Sequence, residues 1–254
     1  LESLKAEGVE VVFGYPGGAV LTLYDEVYKM NFPHVLTRHE QGAAHAADGY
    51  ARASGKVGVA FATSGPGATN LVTGIATAHM DSVPMVCITG QVANPYIGKD
   101  SFQEADIVGI TTPITKHNYL VKDVNDIPRV VKEAFYIART GRPGVVVIDV
   151  AKDVFDTPID YEYPDAALLH GYTGDVPFDM DAVHAAAEAL ASARQPLLFV
   201  GGGVVLSDTS DYVRELIALT GMPSVATLMG IGGVAAETEG YTGMAGMHGA
   251  YASN

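Results

Sequence analysis

The chain has 254 residues, room for one large domain or for one domain and part of another. Its hydrophobic content of 48%, against 17% charged residues, supplies a substantial core, and a formal net charge of −14 speaks against a nucleic-acid partner or an anionic membrane surface. No apolar run approaches the ~20 residues that cross a bilayer. The single cysteine, Cys87, leaves no disulfide or cysteine metal site within one chain and fits a reducing compartment, the cytoplasm.

Leu1–Gly8 read as a helix already under way rather than as a signal peptide. A β-rich run over Val9–Phe13 leads into the turn Tyr15-Pro16-Gly17-Gly18 and a helix over Ala19–Met30. A strand over His34–Thr37 precedes a small-residue helix over Glu40–Ser54, and an apolar strand over Val57–Thr63 precedes Ser64-Gly65-Pro66-Gly67 and a helix over Ala68–His79. Pro84–Thr89 reads as a buried strand that makes Cys87 a structural thiol, followed by an irregular stretch to about Thr115. Asn118–Val121, Ile127–Thr140 and Val145–Val150 read as strand, helix and strand. Continuous apolar strands separated by helices predict an α/β fold, a parallel sheet with helices on both faces. Residues 153–178, rich in Asp, Pro and Tyr, read as a linker after a first domain over 1–152. Alternation then restarts over 179–254: helix Ala182–Ala193, strand Pro196–Val200, helix Ser210–Leu219, strand Ser224–Leu228. With two or three strands, this second α/β domain reads as partial, and the chain as a fragment or a short relative.

Four loops fall at the carboxyl ends of the strands: Tyr15-Pro16-Gly17-Gly18, Arg38-His39-Glu40, Thr63 to Asn70, and Gly90-Gln91-Val92. In an open parallel sheet they form one rim, where ligands bind. Gly17-Gly18 and Gly65-Pro66-Gly67 let a ligand approach the backbone closely. Neither is a phosphate cradle by pattern. Gly201-Gly202-Gly203 admits either a dinucleotide or a plain tight turn. Glu40 stands at a strand-to-helix junction ahead of an alanine-rich helix, which holds one acid in a fixed, partly dry place. Its alternative is a helix-initiating glutamate that favours the positive end of the helix dipole.

The stretches Val12 to Gly18, Arg38 to Ala43, Thr63 to Asn70 and Asp100-Ser101-Phe102-Gln103-Glu104 occur in one order at one spacing. Over essentially the whole chain the sequence resembles the large, catalytic subunit of the acetolactate synthase family, thiamine-diphosphate enzymes. Arg142-Pro143-Gly144, Lys152-Asp153, and Leu228-Met229-Gly230 with Gly246-Met247-His248-Gly249 narrow the resemblance to that branch. The resemblance implies condensation of two 2-keto acids, pyruvate with pyruvate or 2-ketobutyrate, with loss of CO₂, giving acetohydroxy acids for branched-chain amino acids. It makes Glu40 the group that bonds a ring nitrogen of the aminopyrimidine, places Gly18 near the reacting carbon, and puts Tyr15, Thr63, Pro66, Asn70 and Gln103 around the pyrimidine. Phe102 and Lys152 fall at the substrate entrance. Arg142, Gly201, Gly202, Thr227, Leu228, Met229, Gly246, Met247 and His248 match stretches lining a structural FAD groove. Taken singly, Thr63 and Asn70 read equally as caps of the next helix, Phe102 as core, and Lys152 as a solvated charge.

The same resemblance implies Mg²⁺ held outside this chain, a homodimer with a shared active site, and a small regulatory subunit. It departs from the family at Ala93, where proline is usual, and at Asn94-Pro95, where basic residues are common, so the entrance is shaped or charged differently. The nearest other readings are another thiamine-diphosphate enzyme, such as a pyruvate oxidase, and a non-catalytic fragment.

Overall fold

A computed structural model describes residues 1–174 and 177–254, which fall into two compact units, Leu1–Val176 and Pro177–Asn254. The first is built on six parallel strands: β1 (Val12–Gly14), β2 (His34–Leu36), β3 (Gly58–Ala62), β4 (Met85–Gln91), β5 (His117–Val121) and β6 (Val145–Ala151), in the order β2-β1-β3-β4-β6-β5. The parallel α/β architecture read from the apolar runs is present. Strands β3, β4 and β6 are buried along their whole length, as a sheet covered on both faces requires.

Alternation along each strand sorts the core into two layers. Phe61, Val86, Ile88, Val146 and Ile148 meet Val131, Ala134, Phe135 and Ala138 of the helix Ile127–Arg139. Ala60, Ala62, Met85, Cys87, Val145 and Val147 face Ala43, Ala44 and Ala47 of the helix Glu40–Ser54, and Ile75 and Ala78 of the helix Val72–Met80. The alanines bring backbones close. A Cβ on Gly58 would stand 2.2 Å from the Ala47 carbonyl oxygen, and one on Gly74 2.3 Å from the Ala44 Cβ. The Glu40 helix is thereby seated against the sheet with little play, which fixes the height of its first residue at the rim.

Several elements differ from the sequence reading. Strand β1 starts at Val12 rather than Val9, because Val9 N–H closes the opening helical turn onto the Leu4 carbonyl at 2.9 Å. The helix expected over Ala68–His79 is two, Pro66–Asn70 and Val72–Met80. The irregular stretch before Thr115 holds a short helix, Ile107–Thr111, started by the Asp106 carboxylate accepting from Gly109 N at 2.9 Å.

The stretch after β6, expected as a linker, is laid on the first unit. Lys152–Phe155 forms a helical turn, the Tyr163 hydroxyl donates to Glu7 Oε1 at 2.7 Å, and Lys116 Nζ donates to the Tyr172 hydroxyl at 3.1 Å. The tyrosines that look like linker composition act as anchors. Asp175 and Val176, also within the expected linker, lie outside the described residues.

The second unit has three parallel strands, β7 (Leu198–Val200), β8 (Ser224–Ala226) and β9 (Tyr241–Met244), in that order, with helices Met180–Ser192, Gly202–Leu206 and Ser210–Thr220. Gly201 caps a short helix here, so the glycine run is more than a plain tight turn. No helix among the described residues is long and apolar enough to cross a membrane.

Candidate active site

The carboxyl ends of β1 to β4 and β6 deliver five segments to one rim. His39 caps the helix behind β2, its Nδ1 accepting from Gln41 N at 3.1 Å. Glu40 is therefore the first helical residue, at the positive end of the dipole. It is 8% exposed. Its Oε2 accepts from Asn70 Nδ2 at 2.9 Å. A Cβ on Gly67 would lie 3.2 Å from Glu40 Oε1 and 2.7 Å from the Thr63 methyl, so only glycine leaves room beside the carboxylate.

Thr63 ties two rim loops together. Its Oγ1 accepts from Ala19 N at 3.1 Å, and a Cβ on Gly17 would stand 2.5 Å from its own Cβ. Neither Thr63 nor Asn70 caps the following helix: Gly65 stands at that position, Thr63 holds the Gly17-Gly18 turn, and Asn70 reaches back to Glu40. Gly65 has φ of 54°, and a Cβ there would stand 2.4 Å from the Gln103 carbonyl oxygen. That close approach seats the Phe102-Gln103 loop against the Gly-Pro-Gly turn. Gln103 itself has φ of 57° and an exposed side chain. Phe102 is 89% exposed, which removes the core reading.

A cavity of about 460 Å³ opens between these segments, lined among others by Gly18, Gln91, Val92, Phe102, Gln103 and Lys152. Its single cation, on an exposed Lys152, and its apolar wall suit a small anion with an apolar end. Tyr15 and Pro66 sit on the same rim, both exposed.

Residues 1–110 match the family "Thiamine pyrophosphate enzyme, N-terminal TPP binding domain", and residues 183–254 match "Thiamine pyrophosphate enzyme, central domain". The chain carries the N-terminal and central domains of thiamine pyrophosphate enzymes. Among curated relatives it is 53% identical over 254 residues to an acetolactate synthase of Mycobacterium leprae, covering all of this chain and 41% of that one. It is 48% identical over 257 residues to the acetolactate synthase large subunit of Haemophilus influenzae, covering all of this chain and 45% of that one. It is 48% identical over 254 residues to the acetolactate synthase isozyme 2 large subunit of Escherichia coli, covering all of this chain and 46% of that one. The chain thus spans less than half the length of these relatives.

The residues present at this rim fit the pyrimidine of thiamine pyrophosphate. A buried acid is braced from one side only, and the glycines next to it leave space a Cβ would fill. The second unit gathers its own rim at the ends of β7 to β9. Thr227 N donates to the Val200 carbonyl at 2.9 Å and its Oγ1 accepts from Gly230 N at 3.0 Å. A Cβ on Gly202 would stand 2.9 Å from the Met229 Cβ, so Gly201-Gly202 and Thr227-Leu228-Met229 are neighbours. Gly246, Met247 and His248 follow β9, all exposed.

Arg142 stands apart from Glu40. It precedes β6, at the amino ends of the strands and away from the rim, where its Nε donates to Ser82 Oγ at 2.6 Å. Cys87 is buried, and burial pushes its thiol up to about 12, so it is no nucleophile. No cluster of three or more His, Cys, Asp or Glu is arranged to hold a metal ion among the described residues.

A buried acid within the strands escaped the sequence reading. Asp149, 1% exposed in the middle of β6, accepts from Thr89 Oγ1 at 2.6 Å and from Gln91 Nε2 at 2.9 Å. Burial pushes its carboxyl up from 3.8 to about 7, against the pull of those two donors, with the nearby charge of Asp106 adding to the rise. The signal was one acid inside Val145-Val146-Val147-Ile148-Asp149-Val150.

Proposed function

We propose that this chain carries the pyrimidine side of the active site of an acetolactate synthase. The whole protein joins pyruvate to pyruvate or to 2-ketobutyrate with loss of CO₂, giving acetohydroxy acids for branched-chain amino-acid biosynthesis. Support comes from relatives named for that activity. The observation that carries the reading is Glu40: a buried carboxylate at a helix start, one oxygen held by Asn70 and the other beside the Gly67 gap.

Thiamine diphosphate, when bound, supplies the carbon nucleophile and the electron sink for decarboxylation. Glu40 holds the proton shared with a ring nitrogen of the aminopyrimidine, and Asn70 keeps the carboxylate from swinging away. Thr63 sets the Gly17-Gly18 turn, so Gly18 offers bare backbone next to the reacting centre. Tyr15, Pro66 and Gln103 bound the pyrimidine. Lys152 attracts the keto-acid carboxylate, and Phe102 screens its carbon end from water. The rim at Gly201, Gly202, Thr227 to Met229 and Gly246 to His248 takes FAD in a structural role. Mg²⁺ and the diphosphate belong to a part of the whole protein outside these residues. A homodimer completing the site, a small regulatory subunit and a cytoplasmic location belong to the same reading.

The test is Glu40→Gln in the protein carried to the length of its relatives, assayed for acetolactate formation from pyruvate. A loss of about 10²–10⁴-fold is expected for removing a positioned proton-transfer group. A rate near wild type would refute the assignment. FAD reduced and reoxidised by oxygen during turnover would mark an oxidase instead. The chain by itself should fail to bind thiamine diphosphate tightly, and calorimetry giving a micromolar Kd would contradict that.

A further inference from the structure

The cavity wall is held from below. Gln91, the last residue of β4, is 4% exposed, and its amide is fully engaged. Nε2 donates to Asp149 Oδ2 at 2.9 Å and to the Ala105 carbonyl at 2.7 Å, while Oε1 accepts from Val92 N at 2.9 Å. Only this orientation serves all three partners, since a flipped amide would aim its oxygen at two acceptors. Asp149 therefore fixes which way the Gln91 amide points. Thr89, paired with Asp149 in register, holds the other carboxylate oxygen.

Ala105 ends the loop that carries Phe102 and Gln103 over the cavity. Within that loop the Glu104 carboxylate accepts from Gly98 N and, at 2.8 Å, from Ser101 N. Asp100 and Gln103 both adopt left-handed backbone, φ of 53° and 57°. The loop is thus tied within itself, and Gln91–Ala105 ties its end to the sheet. Without that tie, two residues in an unfavoured conformation have one restraint fewer.

We propose that Asp149 is a positioning residue for the cavity: acting through the Gln91 amide, it holds the 93–105 loop, and with it Phe102 and Gln103, in place. The proposal relies on the proposed function only for what the cavity encloses. The loop itself is read out without substrate or coenzyme, so the two can fail separately.

The experiment is hydrogen exchange by mass spectrometry on the full chain at pH 8.5, with protection compared over residues 93–105 and over the Glu40–Ser54 helix. Gln91→Met keeps side-chain length and removes the amide. It should raise exchange in the loop at least tenfold and leave the Glu40 helix unchanged. Asp149→Leu should do the same, and Asp149→Asn should hold the loop, because its amide oxygen still accepts from Gln91 while Thr89 turns to accept. The pair Gln91→Glu with Asp149→Asn separates positioning from stability. It restores a hydrogen bond between β4 and β6, and so the melting temperature, yet turns a carboxylate toward the Ala105 carbonyl and leaves the loop fast. Wild-type loop protection in Gln91→Met overturns the proposal, as does a tight loop in the paired variant. If Asp149→Leu does not fold, the Gln91 variants decide.

Discussion

Replacing Asp149 with Asn should make the first unit more stable at neutral pH and erase a specific pH dependence. The carboxyl is 1% exposed, so bulk solvent does not screen it. Burial raises it from 3.8 to about 7 in the folded chain. A raised acid means that the folded state holds its proton where the unfolded state has lost it. The stabilising contribution is therefore complete below about pH 4, declines as pH rises between the two values, and is gone above pH 7. The whole span is worth about 4 kcal/mol, at roughly 1.4 kcal/mol per pH unit. Between pH 5 and pH 8 the loss is about 2–3 kcal/mol by the same linkage. The amide of the Asp149→Asn variant has nothing to ionise, so the difference between variant and wild type isolates this one group from every other titration. Cys87 offers the assay. It is the single thiol, buried in β4 two residues from Thr89, and it is labelled only when the sheet opens. Urea series at pH 5, 6, 7 and 8, each followed by a short pulse of a disulfide reagent active in acid, give the stability of the first unit. Wild type should lose stability relative to Asp149→Asn up to pH 7 and run parallel to it beyond. A difference that stays flat from pH 5 to pH 8, or that grows in favour of wild type, refutes the reasoning.

Three further perturbations test the rim. Gly17→Ala drives a Cβ to 2.5 Å from the Thr63 Cβ; it should cost about 1–3 kcal/mol by overpacking, measured by the same thiol pulse, and an unchanged midpoint would show that the turn can shift freely. Asn70→Ala removes the donor held 2.9 Å from Glu40 Oε2; a loss of about 1.5–3 kcal/mol is expected for a hydrogen bond to a charged group, and a variant as stable as wild type would mean that water serves Glu40 equally well. The Tyr24 hydroxyl is buried without a hydrogen-bond partner among the described residues, and burial, then the charge of Glu40, pushes its ionisation up; Tyr24→Phe should therefore be neutral or stabilise by about 1 kcal/mol, and a destabilised variant would reveal an ordered water there.

The fold was legible where local chemistry and tertiary packing agree. The helix Glu40–Ser54 was read to the residue, because His39 supplies a side-chain cap and Gly55, at φ of 71°, ends it. The sheet was legible because β3, β4 and β6 are buried on both faces and mostly apolar. Reading failed where tertiary contacts set the outcome. The break between Asn70 and Val72 carries no proline or side-chain cap, and Asn70 there is engaged by Glu40, thirty positions earlier. The short helix Gly202–Leu206 begins in a glycine run that favours turns, and Met229 packs against its first residue. The segment after β6 has linker composition, yet Glu7 and Thr140 receive its tyrosines.

Two of the buried acids, Glu40 and Asp149, show why half of a site can be read and half cannot. Glu40 follows a strand and opens a helix, a place where topology alone puts a carboxylate at a ligand-binding rim. Asp149 lies inside a strand, and its surroundings in sequence suggest nothing but core. Its partners are Thr89, sixty residues away but level in the register, and Gln91, two positions further along β4. Alternation puts all three on the face that packs the Glu40 helix, the face of Cys87 and Val147. A buried acid without donors costs several kcal/mol, so a lone Asp in an apolar run implies partners at the same level on the neighbouring strand. In a parallel sheet of unknown order that neighbour is not given by sequence distance. Here it is β4, which also delivers the cavity wall, and this is how a group beneath the rim comes to govern what stands above it.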